Sequence, residues 1–284
     1  MQKGVVRDDR ALLSCKSVMV PTEMTARIAL VTGASSGIGQ EFAEYYARQG
    51  FHIVLVGRNV EELQRVKLIV ETLGGSGEWI VADLSHSEGV AHVLGNCAEP
   101  DVVVVNAGVT MAGRAGNIDW AELQQMSYLI GAGVAQLVEG IVPSMVRRGA
   151  GTVIVVSSIA SLIDMPNSAV YAASKSFATR YASSLAREVK RSGVHVTAVC
   201  PGYVHTNLHA RAGLTHLEKT VPAWLWIDAK TVVQSAVDGA RKGKVVVVPG
   251  LVYRLSLPFL NSSLAQGVWS KLTRRRGRTG HGRT

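Results

Sequence analysis

Cysteine is scarce in this chain. Cys15, Cys97 and Cys200 are the three present in 284 residues. Their number is odd and they stand far apart, so neither a disulfide framework nor a cysteine-based metal cradle has the spacing it needs. No metal site is expected, and a reducing, cytoplasmic setting is. Charge is also sparse, at 18% of residues against 47% hydrophobic, which supplies a sizeable buried core. A clean membrane span is missing too. "ALLSCKSVMV" near the start is interrupted by Lys16 and followed by Pro21, which makes a poor signal peptide. Gln125–Val146 is apolar but holds Glu139, Pro143 and three glycines, so it reads as a buried helix. No internal repeat of solenoid length occurs.

What charge there is lies unevenly. Of nine net positive charges, six fall in the last fourteen residues, at Lys271, Arg274, Arg275, Arg276, Arg278 and Arg283, with no acid among them. Such a run reads first as a solvated tail, and second as a contact for anionic lipid or nucleic acid. The tail has no interleaved aromatics and the body shows no nucleic-acid-binding motif, so no nucleic acid is expected. Leu251, Leu255, Leu257, Phe259 and Leu260 precede the tail, and that combination suggests peripheral membrane contact through the C-terminal segment. Residues 1–25 read as a loose extension, with Met24 an alternative start.

Between these ends, short Val/Ile-rich runs alternate with helical patterns. "RIALVT", "HIVLV", "EWIVA", "DVVVV", "TVIVVS", "VHVTAV" and "KVVVV" are the seven runs. Nearly continuous apolar runs mark strands covered on both faces. Their alternation with helices predicts an α/β fold, one doubly wound Rossmann-like domain over residues 26–250 with a seven-stranded parallel sheet. Helices are predicted over Ile38–Gln49, Val60–Leu73, Ser87–Asn96, Trp120–Arg148 and Ala169–Arg191. Residues 251–284 form an apolar, weakly helical segment and the basic tail.

"VTGASSGIGQ" follows the first strand and opens the first helix. In this fold that turn is the default phosphate site. Gly33, Gly37 and Gly39 let the backbone approach a pyrophosphate, and the helix start offers its N–H groups. The lysine of a P-loop is missing, which removes support for nucleotide hydrolysis. After the second strand, Arg58 stands where an acid would hold a ribose hydroxyl. Arginine suits a 2′-phosphate, so NADP(H) is preferred and NAD(H) is the lesser alternative. Asp83 after the third strand either meets the adenine or caps the next helix, and Asn106 and Gly108 lie at the sheet's ligand-binding edge.

"YAASK" sets Tyr171 and Lys175 one helical turn apart on one face. A nearby ammonium favours phenolate and lowers a tyrosine pKa. A tyrosine so tuned can exchange a proton with a carbonyl or alcohol oxygen. Ser158, at the end of the fifth strand, can hydrogen-bond the same oxygen as it gains charge.

The glycine-rich turn, Asn-Ala-Gly, a strand-end serine and Tyr-x-x-x-Lys occur here in that order. With them the chain resembles the short-chain dehydrogenase/reductase family over about residues 27–250. The resemblance implies an NADP(H)-dependent oxidoreductase that passes hydride between nicotinamide and a carbonyl or alcohol. It implies catalytic roles for Ser158, Tyr171 and Lys175: Tyr171 as acid and base, Ser158 polarising the carbonyl, Lys175 holding the nicotinamide ribose. It implies cofactor contacts from Thr32, Gly33, Ser35, Ser36, Gly37, Ile38 and Gly39 in the turn. Arg58, Asp83, Leu84, Asn106, Ala107 and Gly108 follow the next strands, and Pro201, Gly202, Val204 and Thr206 complete the set with Tyr171 and Lys175. A homodimer or homotetramer packed through the two long helices is also implied. The chain departs from the family in two places. The family's usual Asn-Asn-Ala-Gly reads Val105-Asn106-Ala107-Gly108 here. No asparagine lies between Ile118 and Ala160, where the family carries one near Leu129 or Ile130 to order a proton relay. Tyr128 is nearby. The expected substrate loop, residues 203–227, carries Trp224, Leu225 and Trp226. It suggests a hydrophobic, lipid-like substrate, or else aromatics packing the loop on the body. The alternative to an enzyme is an NADP(H)-binding regulator, against which the joint presence of Ser158, Tyr171 and Lys175 counts.

Overall fold

A computed structural model of the chain describes residues 26–113, 116–206 and 220–260, with side chains to 257. Seven strands form one sheet: β1 (Ile28–Thr32), β2 (His52–Gly57), β3 (Ser76–Val81), β4 (Val102–Val105), β5 (Gly151–Val156), β6 (Val194–Val199) and β9 (Val246–Val247). Their order is β3-β2-β1-β4-β5-β6-β9, and every pair is parallel. Each predicted Val/Ile run is a strand. In the inner strands the reason is visible in burial: residues 102–105 are buried throughout, as a strand with helices on both sides must be, whereas the edge strand β3 leaves four of its six residues exposed. A short pair, β7 (Tyr203–Val204) and β8 (Trp226–Ile227), stands apart from the main sheet.

Helices α1 (Gly37–Ala47), α2 (Val60–Thr72), α3 (Ser87–Asn96), α4 (Trp120–Ser127), α5 (Gly133–Arg148), α6 (Ala169–Glu188), α7 (Ala229–Arg241) and α8 (Leu251–Leu260) complete the described chain. Two apolar clusters result, one on each face of the sheet. One joins Leu30, Val103 and Val153 to Leu137, Ile141 and Met145 of α5. The other joins Val31, Leu55 and Ile154 to Phe42 of α1 and Val232 and Val237 of α7.

Three elements differ from the sequence reading. The long helix over Trp120–Arg148 is not one α-helix. A π turn, Tyr128–Ala132, separates α4 from α5. The Gly133 N–H reaches back five residues to the Tyr128 carbonyl, and a Cβ on residue 133 would lie 2.9 Å from that oxygen. Glycine permits the approach. That long element has the length and apolarity of a membrane span, but 56% of its most apolar stretch is buried, and it packs here as a core helix. α6 ends at Glu188 rather than 191. And α7 stands where the sequence reading names no helix; its Val232, Val233, Ala236, Val237 and Ala240 bury one stripe.

α8 is tied down by Tyr253. Its hydroxyl donates to the Leu225 carbonyl at 2.5 Å and accepts from the Tyr203 N–H at 3.0 Å. A Cβ on Gly202 would fall 2.0 Å from the centre of this pinned ring's edge at Cζ. Gly202→Ala is therefore expected to lower unfolding stability by about 2 kcal/mol, read by chemical denaturation, because the ring cannot retreat without losing both bonds.

The expected N-terminal extension, residues 207–219 of the substrate loop and the basic tail lie outside the described residues.

Candidate active site

Strand order reverses between β1 and β4, and the carboxyl ends of both strands open on one crevice. The crevice leads into a cavity of about 580 Å³. Gly33 and Gly37 there have φ of +64° and +59°. A Cβ at residue 33 would lie 2.8 Å from Ala107 Cα, one at 37 would lie 2.9 Å from the Thr206 methyl, and one at 39 would lie 2.2 Å from the Gly33 carbonyl. The turn therefore folds only with glycine, and it leaves a backbone cradle at the start of α1 that suits a phosphate.

The cavity gathers most of the expected residues. Gly33, Ser35, Ser36, Gly37, Ile38, Arg58, Asp83, Leu84, Asn106, Ala107, Gly108, Ser158, Tyr171, Lys175, Pro201, Gly202, Val204 and Thr206 all line it. Thr32 and Gly39 do not. Thr32 is fully buried, and its hydroxyl accepts from the N–H groups of Asn106 and Ala107 at 2.9 and 3.0 Å. The Asn106 amide donates back to the Thr32 and Gly33 carbonyls at 3.0 and 3.2 Å. These two residues lock the end of β1 to the end of β4 and so fix the crevice. Arg65 of α2, which no sequence signal singled out, donates to the Ser35 carbonyl at 3.2 Å and braces the turn from outside.

At one end of the cavity, Arg58 lies 3.9 Å from the Asp83 carboxylate, with its side chain 69% exposed. Asp83 also accepts from the Ser85 N–H at 3.0 Å. Deeper in, the Ser158 hydroxyl accepts from the Ala160 N–H at 3.1 Å and lines the cavity with the Tyr171 phenol. Burial pushes the Tyr171 phenol above its ordinary range, and the neighbouring Ser158 hydroxyl draws it only part of the way back. This is opposite to the direction expected from a neighbouring lysine. Lys175 instead donates to the Val156 carbonyl at 2.9 Å.

Lys175 is 6% exposed, and burial pushes its ammonium down to about 8, against a smaller upward pull from Cys200. A depressed lysine pKa penalises the folded state below pH 8, where both states carry the proton. The penalty fades as pH rises from about 8 to the unfolded value, because only the native state has then released its proton. Lys175→Met should raise the melting temperature at neutral pH, by roughly 3 kcal/mol of stability at most. The gain should shrink above pH 8 in a pH series of thermal melts.

The place where an asparagine was expected is apolar. Ile130 is fully buried in the π turn, and its Cγ2 lies 3.3 Å from where a Gly108 Cβ would sit, with Lys175 Nζ 3.7 Å from the same point. Leu129 lines the cavity, whereas the Tyr128 hydroxyl pairs with Gln136. At the far end the wall is apolar: Ala112, Ile163, Met165, Trp224, Leu225, Val252 and Tyr253. Trp226 packs between Tyr203 and His205, with ring centroids 5.4 and 4.9 Å away, so it serves the loop's own packing. The α8 residues Val252, Tyr253 and Ser256 were not anticipated in the cavity. No cluster of three metal-ligating side chains occurs among the described residues.

The profile of the short chain dehydrogenase family matches residues 27–216. An uncharacterized oxidoreductase of Myxococcus xanthus is 32% identical over 192 residues, which are 66% of this chain and 76% of that protein. Dehydrogenase/reductase SDR family member 7B of Danio rerio is 34% identical over 199 residues, 66% of this chain and 63% of that protein's length. Among solved structures, a short-chain dehydrogenase from Sphingobium yanoikuyae in complex with NADPH superimposes with a TM-score of 0.73 at 24% identity, covering 91% of this chain and 98% of its own. That likeness speaks for the fold. A candidate NAD(P) dependent gluconate 5-dehydrogenase from Beutenbergia cavernae with bound NADP gives 0.70 at 30% identity, covering 79% and 95%.

Proposed function

The chain belongs to the short-chain dehydrogenase family, whose members are NAD(P)-dependent oxidoreductases, and on that footing we propose that it interconverts a hydrophobic ketone or aldehyde and its alcohol with NADP(H). One observation carries the reading. A single cavity runs from the glycine cradle and Arg58, past Ser158 and Tyr171, to an apolar wall. Gly33, Gly37, Asn106–Gly108 and Thr206 would hold the cofactor, with Arg58 on a 2′-phosphate. Bound there, the cofactor supplies or accepts the hydride.

The protein's part is proton handling and orientation. Tyr171 gives its proton to the carbonyl oxygen as charge develops there, and takes one from the alcohol in reverse. A phenol held protonated by burial suits the reductive direction. Ser158 donates to the same oxygen. Lys175, one turn along α6, holds the cofactor's ribose. The wall of Met165, Trp224, Leu225 and Val252 accepts an apolar body and excludes water.

The functional unit is a homodimer or homotetramer. A groove of small residues between the π turn and α6, with Ser127, Gly131, Ala132, Ala169 and Ala173, supports this reading. Phe177 stands half-exposed beside it. The free thiols Cys97 and Cys200 fit a cytoplasmic setting.

The test is NADPH oxidation against a panel of ketones, aldehydes and acyl thioesters of increasing apolar size. Carbonyl-dependent turnover that rises with apolar size is expected. A preference for small polar carbonyls would contradict the substrate class.

A further inference from the structure

The mouth of the cavity is built from apolar residues that face outward. Trp224 and Val252 line the cavity yet are 66% and 42% exposed, so they form its rim. On α8, beside Val252, Leu251 and Leu255 stand outside the cavity lining and are 63% and 62% exposed. α8 is not loosely hung. Tyr253 bonds it to Tyr203 and Leu225, so the outward leucines are displayed on a fixed surface. Four exposed large hydrophobic side chains around one opening form a patch that a lone soluble face seldom keeps.

The charge of the same segment says what covers it. Residues 251–284 carry seven arginines and lysines, beginning with Arg254 on α8, and no acid. A second copy would bring another segment of the same sign, which like-charge repulsion disfavours. An anionic bilayer answers both features, taking the leucines into its headgroup boundary and the cations on its surface. We infer that Trp224, Leu251, Val252 and Leu255 rest on an anionic lipid surface, with the cavity mouth turned toward the bilayer. This rests on the reading of the cavity as a site for an apolar substrate, which then enters from the lipid without crossing water.

Flotation of the full chain with phosphatidylcholine vesicles, with and without about 30% phosphatidylserine, tests it. The chain should float with the anionic vesicles and stay behind with the neutral ones. Binding should weaken as salt is raised. L251E/L255E should lower the bound fraction about tenfold, and the uncharged L251S/L255S should also lower it. NADPH binding by both variants reports that they are folded. Flotation equal on neutral vesicles, no flotation at all, or variants that float like the parent would overturn the inference. So would sedimentation in which the variants split an oligomer while the parent ignores vesicles, since the face would then belong to a second copy. Flotation is read without turnover. A chain that binds anionic vesicles but oxidises no NADPH contradicts the proposed activity and leaves this surface standing, and the converse result separates them the other way.

Discussion

Tyr171→Phe lowers carbonyl-dependent NADPH oxidation by about a thousandfold and leaves NADPH affinity nearly unchanged. The expectation follows from a single oxygen. Phenylalanine keeps the ring that fills the cavity wall, so the site keeps its shape. It removes the proton that the carbonyl oxygen receives. Steady-state kinetics with NADPH titrated by fluorescence separates the two effects. A variant that retains a tenth or more of the parent's turnover would mean that another group supplies the proton.

Arg58→Asp is expected to reverse the cofactor preference. Arg58 sits at the open end of the cavity, its guanidinium 3.9 Å from Asp83 and largely in solvent. There it can turn to a 2′-phosphate at little cost. An aspartate in its place repels that phosphate, adds to the charge of Asp83, and accepts from a ribose hydroxyl instead. The ratio of kcat/KM for NADPH over NADH should fall by about a hundredfold or more. An unchanged ratio would place the 2′-phosphate somewhere else.

The parts of the molecule that were legible in the sequence are those set by short-range physics. A strand such as Val102–Val105, buried on both faces, can only be an apolar run, and the run announces it. Gly33 and Gly37 need left-handed backbone, and their spacing beside a strand revealed the turn. The parts that were missed depend on contacts between distant residues. Gly202 meets Tyr253 fifty-one residues later, so the role of α8 in the cavity wall left no local mark. The π turn depends on how the Tyr128 carbonyl meets Gly133, and an apolar helical pattern does not encode it. The direction of the Tyr171 shift is not legible in the sequence because burial of the phenol, a product of tertiary packing, is its largest cause. α7 is a different case. Its valine stripe has helical period and was readable, but the sequence reading names no helix between the substrate loop and the last strand.

The central claim is that Tyr171, Ser158 and the cradle serve hydride transfer to a carbonyl in one cavity. Its most direct test uses NADPH deuterated at the transferring position, an apolar ketone that the chain turns over, and mass spectrometry of the product. The account predicts the alcohol with deuterium on the former carbonyl carbon, formed by the parent chain and lost with Tyr171→Phe. Tight NADPH binding with no labelled alcohol from any panel member would contradict it, and would leave a nucleotide-binding regulator in this fold.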